Sequence, residues 1–140
     1  MNTKKSTPVL AVIWSLLISA VLIVSASAAP DPLKGSWHST DVDDSYQTLH
    51  IGGGPGNAYH VKYRDNGATV CGLDPDTGEI LYAATANGFL ELSSGALSGS
   101  LPLYCLAGPR YLYNAAQPFA FTYQAGTDTL LDGFGNTWSR

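Results

Sequence analysis

The sequence is poor in what catalysis and nucleic-acid binding usually require. Of 140 residues only seven are Lys or Arg, three are His, two are Cys and one is Met. So few basic side chains cannot form the stripe that displaces counterions from a phosphate backbone, which excludes nucleic acid as a partner and disfavours anionic lipid. Two cysteines are too few for a Cys-only metal centre, and once paired they leave no thiol nucleophile. Neither a G-x-S-x-G elbow nor an H-E-x-x-H pair occurs, so the motifs of serine hydrolases and zinc proteases are both missing. A pair of carboxylates that converges only in space would leave no trace along the chain. With no motif pointing to a reaction, the expectation is a protein that binds rather than transforms, with no cofactor.

Long apolar runs are also scarce: there is one, from Val9 to Val24, behind Lys4 and Lys5 and ahead of "SASAAP". This is the three-part pattern of an export signal, and Ala26-Ser27-Ala28 fits the small-x-small cleavage rule. The expected organisation is a signal-peptide helix over residues 1–28 and one domain over residues 29–140. An uncleaved membrane anchor is the alternative, since the run is nearly long enough to span a bilayer. Losing the signal leaves five basic residues against eleven acidic ones, a net charge of −6. The partners of such a surface are neutral or cationic small molecules, proteins or glycans. Cys71 and Cys105 both fall in the exported part, where an even pair implies a disulfide and a secreted, periplasmic or cell-envelope location.

No segment of helical length carries a 3.6-residue period, whereas alternation of period two recurs from Trp37 to Trp138. Turn chemistry punctuates it. Asn66-Gly67 and Asn87-Gly88 have the form of two-residue hairpin turns, whose positive φ values suit Asn and Gly. "DPDTG", from Asp74 to Gly78, reads as a type I turn. Between such breaks lie about ten short strands: residues 35–40, 46–51, 58–64, 68–73, 79–86, 89–93, 97–106, 118–124, 128–132 and 136–140. Successive short connections make a meander, and an antiparallel meander of about 8–10 strands can close on itself and remove its edges. An all-β up-and-down barrel is the expected fold; a two-sheet β-sandwich is the alternative.

Gly35-Ser36-Trp37 at the first strand, with Trp138 and Arg140 in the closing "TWSR", resembles the G-x-W start and terminal Arg of lipocalin-like (calycin) barrels. The whole exported part is similar to small exported bacterial domains of that type. The resemblance implies that Trp37 packs across the closed end of the barrel with Arg140 covering it. It also implies an interior pocket for a small apolar or aromatic ligand, which inward-facing Tyr59, Tyr63 and Tyr82 would line.

Two further groups of residues are candidates. Parity turns His50 and His60 outward, because Leu49, Ile51, Tyr59, Val61 and Tyr63 take the inward positions. If Leu49 opposes Val61, His50 faces His60 with His38 on the diagonal, a weak candidate for zinc or copper. Asp41, Asp43 and Asp44 are better read as a solvated turn than as a calcium loop, because an EF-hand needs Gly and Glu where Tyr46 and Gly52 stand. Finally, residues 107–118 read as one long loop. Arg110, Tyr111 and Tyr113, following Tyr104, are residue types enriched at binding hot spots. That loop is the alternative functional element, a protein- or glycan-binding edge on a filled barrel.

Overall fold

The computed structural model of the chain describes residues 29–73, 76–77, 82–107 and 110–140. The expected signal segment therefore lies outside the described residues. Eight antiparallel strands follow one another in chain order: β1 (Gly35–Thr40), β2 (Tyr46–Gly53), β3 (Ala58–Asp65), β4 (Ala83–Ser93), β5 (Ala96–Ala107), β6 (Arg110–Gln124), β7 (Thr129–Asp132) and β8 (Thr137–Trp138). Each pairs with the next. The sheet then curls until β1 meets the end of the chain, where the His38 and Ser139 amides and carbonyls exchange hydrogen bonds of 2.8 and 3.0 Å. Ser39 Oγ adds a bond to the Thr137 carbonyl at 2.8 Å. The result is a nearly closed up-and-down barrel.

Alternation sets which side chains fill it. Trp37 on β1, Leu49 and Ile51 on β2, Val61 on β3, Leu90 on β4, Phe121 on β6 and Trp138 on β8 are all buried, and each is worth roughly 1.5 to 3 kcal/mol relative to exposure. Asn87-Gly88, which has the form of a hairpin turn, instead lies inside β4. Inward positions on this strand are Ala84, Ala86, Gly88 and Leu90, and a Cβ on Gly88 would come within 2.8 Å of Leu101 Cδ2. Glycine here makes room for the core. The true β4–β5 turn is Ser94-Gly95, where both residues take positive φ of 52° and 83°, as a type I′ hairpin requires.

Asn66-Gly67 is no tight hairpin either. β3 pairs with β4 through Asp65 and Ala84, so residues 66–82 form the long connection of the fold. Within it, residues 68–73 were expected as a strand, but Thr69–Cys71 is a single 3₁₀ turn. The disulfide joins it to β5, with the Cys71 and Cys105 Cα atoms 5.5 Å apart. The expected turn at residues 74–78 falls largely outside the described residues. Residues 107–118, conversely, are not a loop: Ala107 pairs with Arg110, and β6 runs fifteen residues to Gln124, with one register shift opposite Leu103 and Tyr104. The Tyr, Leu and Ala residues of "RYLYNAAQP" satisfy a strand as readily as a loop, and the partner strand decides.

Candidate functional site

The two ends of the barrel differ. At the end formed by the β6–β7 turn and the segment before β1, the interior is sealed. Trp37 Nε1 donates to the Leu33 carbonyl at 3.0 Å, and the Arg140 guanidinium lies over the Trp37 ring, 4.1 Å from its centroid. Arg140 also bonds the carbonyls of Pro32 and Lys34 and pairs with Asp128 at 3.1 Å. Gly35, at φ 140°, lets the chain enter β1 beneath this guanidinium; its Cβ position is 3.4 Å from Arg140 Nη1. Tyr59 belongs to this end, donating to Asp31 Oδ2 at 2.7 Å. That bond raises the Tyr59 phenol above its ordinary pKa. Burial raises the Asp31 carboxyl, but the Tyr59 hydroxyl, the Leu33 amide and Lys34 together outweigh it and hold the group below the usual carboxylate range.

The opposite end holds a cavity of about 530 Å³, within the range of small-molecule sites. Its apolar wall is built from Leu103 on β5, Phe119 and Phe121 on β6, and Trp138 on β8, with Ala68 and Val70 from the long connection. Tyr63, Phe119 and Phe121 form a continuous aromatic surface, with neighbouring ring centroids 5.2 and 6.3 Å apart. Val42 and Phe134 stand at the rim, 94% and 79% exposed, in the β1–β2 and β7–β8 turns. Exposed apolar groups at a cavity mouth mark a surface suited to cover something.

The floor is polar. Gln47 and Asp65 are buried because they continue the inward phase of Leu49 and Ile51 on β2 and of Val61 and Tyr63 on β3. Gln47 Nε2 reaches Asp41 Oδ2 at 3.1 Å, the Tyr63 hydroxyl at 3.1 Å and Asp65 Oδ2 at 3.3 Å. Tyr63 donates to Asp65 Oδ2 at 3.2 Å, and the Gly67 amide donates to Asp65 Oδ1. On the other side, Asp132 Oδ2 accepts from Trp138 Nε1 at 3.0 Å and from Asn136 Nδ2 at 3.2 Å. Asn136 Nδ2 also reaches Asp41 Oδ1 at 3.4 Å, linking the two halves. Burial and then the negative charge of Asp65, with smaller contributions from Asp41 and Asp132, push the Tyr63 phenol far above its ordinary pKa, so it is a neutral donor at every physiological pH.

Of the residues singled out in the sequence, the structure brings Tyr63 and Trp138 to this cavity and takes others elsewhere. Tyr59 lies at the sealed end, and Tyr82, just before β4, does not line the cavity. Tyr104 points away from the interior and meets Tyr113 edge to face at 5.7 Å. Tyr111 and Tyr113 are well exposed, displayed by a β-hairpin rather than a loop. The histidine register also differs. Leu49 opposes Tyr63, so His50 faces Lys62 and His60 faces Gly52. His50 Nδ1 is engaged with Ser36 Oγ at 3.1 Å, His60 packs on Phe89 and His38 on Tyr46. Among the described residues no three His, Cys, Asp or Glu side chains converge to hold a metal ion. The acidic turn is largely self-bonded, with the Val42 and Ser45 amides donating to Asp41 Oδ1 and Asp43 Oδ1. Asp41 alone also turns its other oxygen to the floor.

Gln47, Asp65, Phe119, Asp132 and Asn136 had no place among the sequence candidates. The signal for two of them was present: Gln47 and Asp65 are polar residues in the inward phase of their strands, the positions where a filled barrel would carry aliphatics. Comparisons with protein-family models, with curated proteins and with solved structures find no match to this chain.

Proposed function

We propose that this is an exported, lipocalin-like binding protein that holds a small molecule with an apolar or aromatic body in the cavity at the open end of its barrel. The observation that carries the reading is the cavity of about 530 Å³ walled by Phe119, Phe121, Leu103 and Trp138, because a barrel interior of side chains packed solid would leave no room for a ligand. The Trp37–Arg140 arrangement at the sealed end supports the lipocalin-like assignment, and a disulfide is what an oxidising, extracytoplasmic compartment permits. The protein binds without chemistry.

The test is titration with an uncharged environment-sensitive fluorophore such as N-phenyl-1-naphthylamine or 1-aminoanthracene. Saturable binding is expected, and Thr69→Trp, which adds a large ring at an exposed position on the cavity lining, is expected to weaken it at least tenfold without lowering Tm. Unchanged affinity in that variant refutes the site.

A second reading rests on the β5–β6 hairpin, whose Tyr111, Leu112 and Tyr113 are 68%, 50% and 61% exposed. In this reading the hairpin docks on a protein or glycan, and Tyr111→Ala weakens that association with no effect on fluorophore binding.

A further inference from the structure

The polar floor of the cavity is short of donors and rich in acceptors. Within its network every side-chain N–H or O–H group is already committed internally: Tyr63 to Asp65, Trp138 to Asp132, Asn136 to Asp41 and Asp132, and Gln47 Nε2 to Asp41, Tyr63 and Asp65. The orientation of the Gln47 amide follows from those partners. Reversing it would set Oε1 against two carboxylates, an acceptor facing acceptors. In the orientation that remains, Oε1 belongs to a side chain 4% exposed and has no hydrogen-bond partner. A buried acceptor left unmade costs about 1 to 3 kcal/mol in general, so a donor brought to this atom would be favoured.

Charge points the same way. Asp41, Asp65 and Asp132 all line the cavity, and among the described residues no Lys or Arg does. Two ion pairs, Lys34 with Asp31 and Arg140 with Asp128, belong to the sealed end. Three carboxylates held by neutral donors in a low-dielectric cup focus a negative potential on its interior, and the upward displacement of the Tyr63 phenol is one sign of it. Above the floor the walls are aromatic, and aromatic faces also attract cations.

We infer that the ligand is a primary or secondary ammonium carried on an aromatic or aliphatic body, its N–H groups donating to Gln47 Oε1 and the surrounding carboxylates while its body lies against Tyr63, Phe119 and Phe121. This rests on the cavity being the binding site. A neutral or anionic ligand would leave the carboxylates without a counter-charge, and an anionic one would be repelled.

The experiment is calorimetric titration of the purified protein at pH 7 with tryptamine and with tryptophol, which keeps the indole and replaces the ammonium by a hydroxyl. Tryptamine is expected to bind at least tenfold more tightly. Raising salt from about 0.05 to about 0.5 M should weaken tryptamine severalfold and leave tryptophol unchanged, because only the charged ligand is screened. Asp41→Asn, in a surface turn and so tolerable to the fold, should narrow the preference at least threefold through the amine alone. Equal affinities for the two compounds overturn the inference while leaving the cavity as a binding site for apolar bodies. No binding of either compound, or of the fluorophores above, at millimolar concentration overturns the binding reading itself and the inference with it.

Discussion

Removing the Arg140 side chain tests whether the barrel is closed in the way its two tryptophans indicate. In Arg140→Ala three interactions vanish together. The guanidinium no longer lies over Trp37 at 4.1 Å, a contact worth about 0.5 to 1 kcal/mol. Its bonds to the Pro32 and Lys34 carbonyls are lost, about 1.5 kcal/mol together once the low end of the charged range, about 1.5 kcal/mol each, is halved for solvent screening of a group more than a third exposed. The ion pair with Asp128, whose carboxylate is 58% exposed, adds about 0.5 kcal/mol or less. The total, about 2 to 3 kcal/mol, corresponds to a fall in Tm of roughly 8 to 12 °C for a domain of this size. Arg140→Lys keeps the charge but cannot span two carbonyls and a ring face, so it should recover less than half of the loss. Differential scanning calorimetry reads the stability, and Trp37 fluorescence should shift as its ring gains water. Fluorophore affinity should not change, because the cavity lies at the other end. A Tm within 2 °C of the unmodified protein would refute the brace, and a lost cavity affinity would refute the independence of the two ends.

Opening the Cys71–Cys105 bridge by a double Cys→Ser substitution should cost about 3 to 4 kcal/mol on the chain-entropy estimate for a separation of 34 residues; urea denaturation measures it, and a loss below 1 kcal/mol would remove the staple from the account. Tyr63 should remain protonated in alkali after ordinary tyrosines near pH 10 have ionised. Its folded pKa is raised, so its contribution to stability is complete below the unfolded value and declines as pH rises beyond about 10; absorbance at about 295 nm, with Tyr63→Phe as reference, shows whether one phenol lags. Tyr111→Ala and Tyr113→Ala should each leave Tm within about 2 °C, since both rings are exposed, and a large loss in either would make them structural plugs.

How far this was legible in the sequence depends on which distances each feature spans. Alternation along one strand is local, and it correctly set Leu49, Ile51, Val61 and Tyr63 inward. Pairing is not local. The register of β2 on β3 slipped by one inward position from the expectation, Leu49 meeting Tyr63 instead of Val61, and that slip separates His50 from His60. Turn signals failed where glycine served packing: Gly88 reads as a turn because the Leu101 side chain that needs its space is thirteen residues away. The tyrosines of β6 looked like loop residues because their partner, β5, follows no pattern that the sequence ties to them. The polar floor was half legible, through Gln47 and Asp65 standing in the inward phase; Asp132 and Asn136 join it only through barrel closure, which no segment of the chain reveals alone.

That closure explains why one barrel can be both stable and hollow. Trp138 sits at the boundary. Its ring meets Phe121 edge to face at 5.8 Å and lies 6.2 Å from Tyr63, part of the apolar packing. Its Nε1 points the other way, to Asp132 Oδ2, and so belongs to the cavity floor. Below it the interior is aliphatic and aromatic, down to Trp37 and its Arg140 cover. Above it the same inward positions of β2 and β3 change from Leu49 and Val61 to Gln47 and Asp65, side chains that would destabilise the fold if they lacked partners. They are tolerated because they bond one another, and the acceptor left over, Gln47 Oε1, is the place where a filled core would have been simpler. A sequence shaped for stability alone would continue the aliphatic phase through these positions; this chain instead buries an amide and a carboxylate there. The departure from packing logic and the cavity coincide, and functional sites are where such departures concentrate.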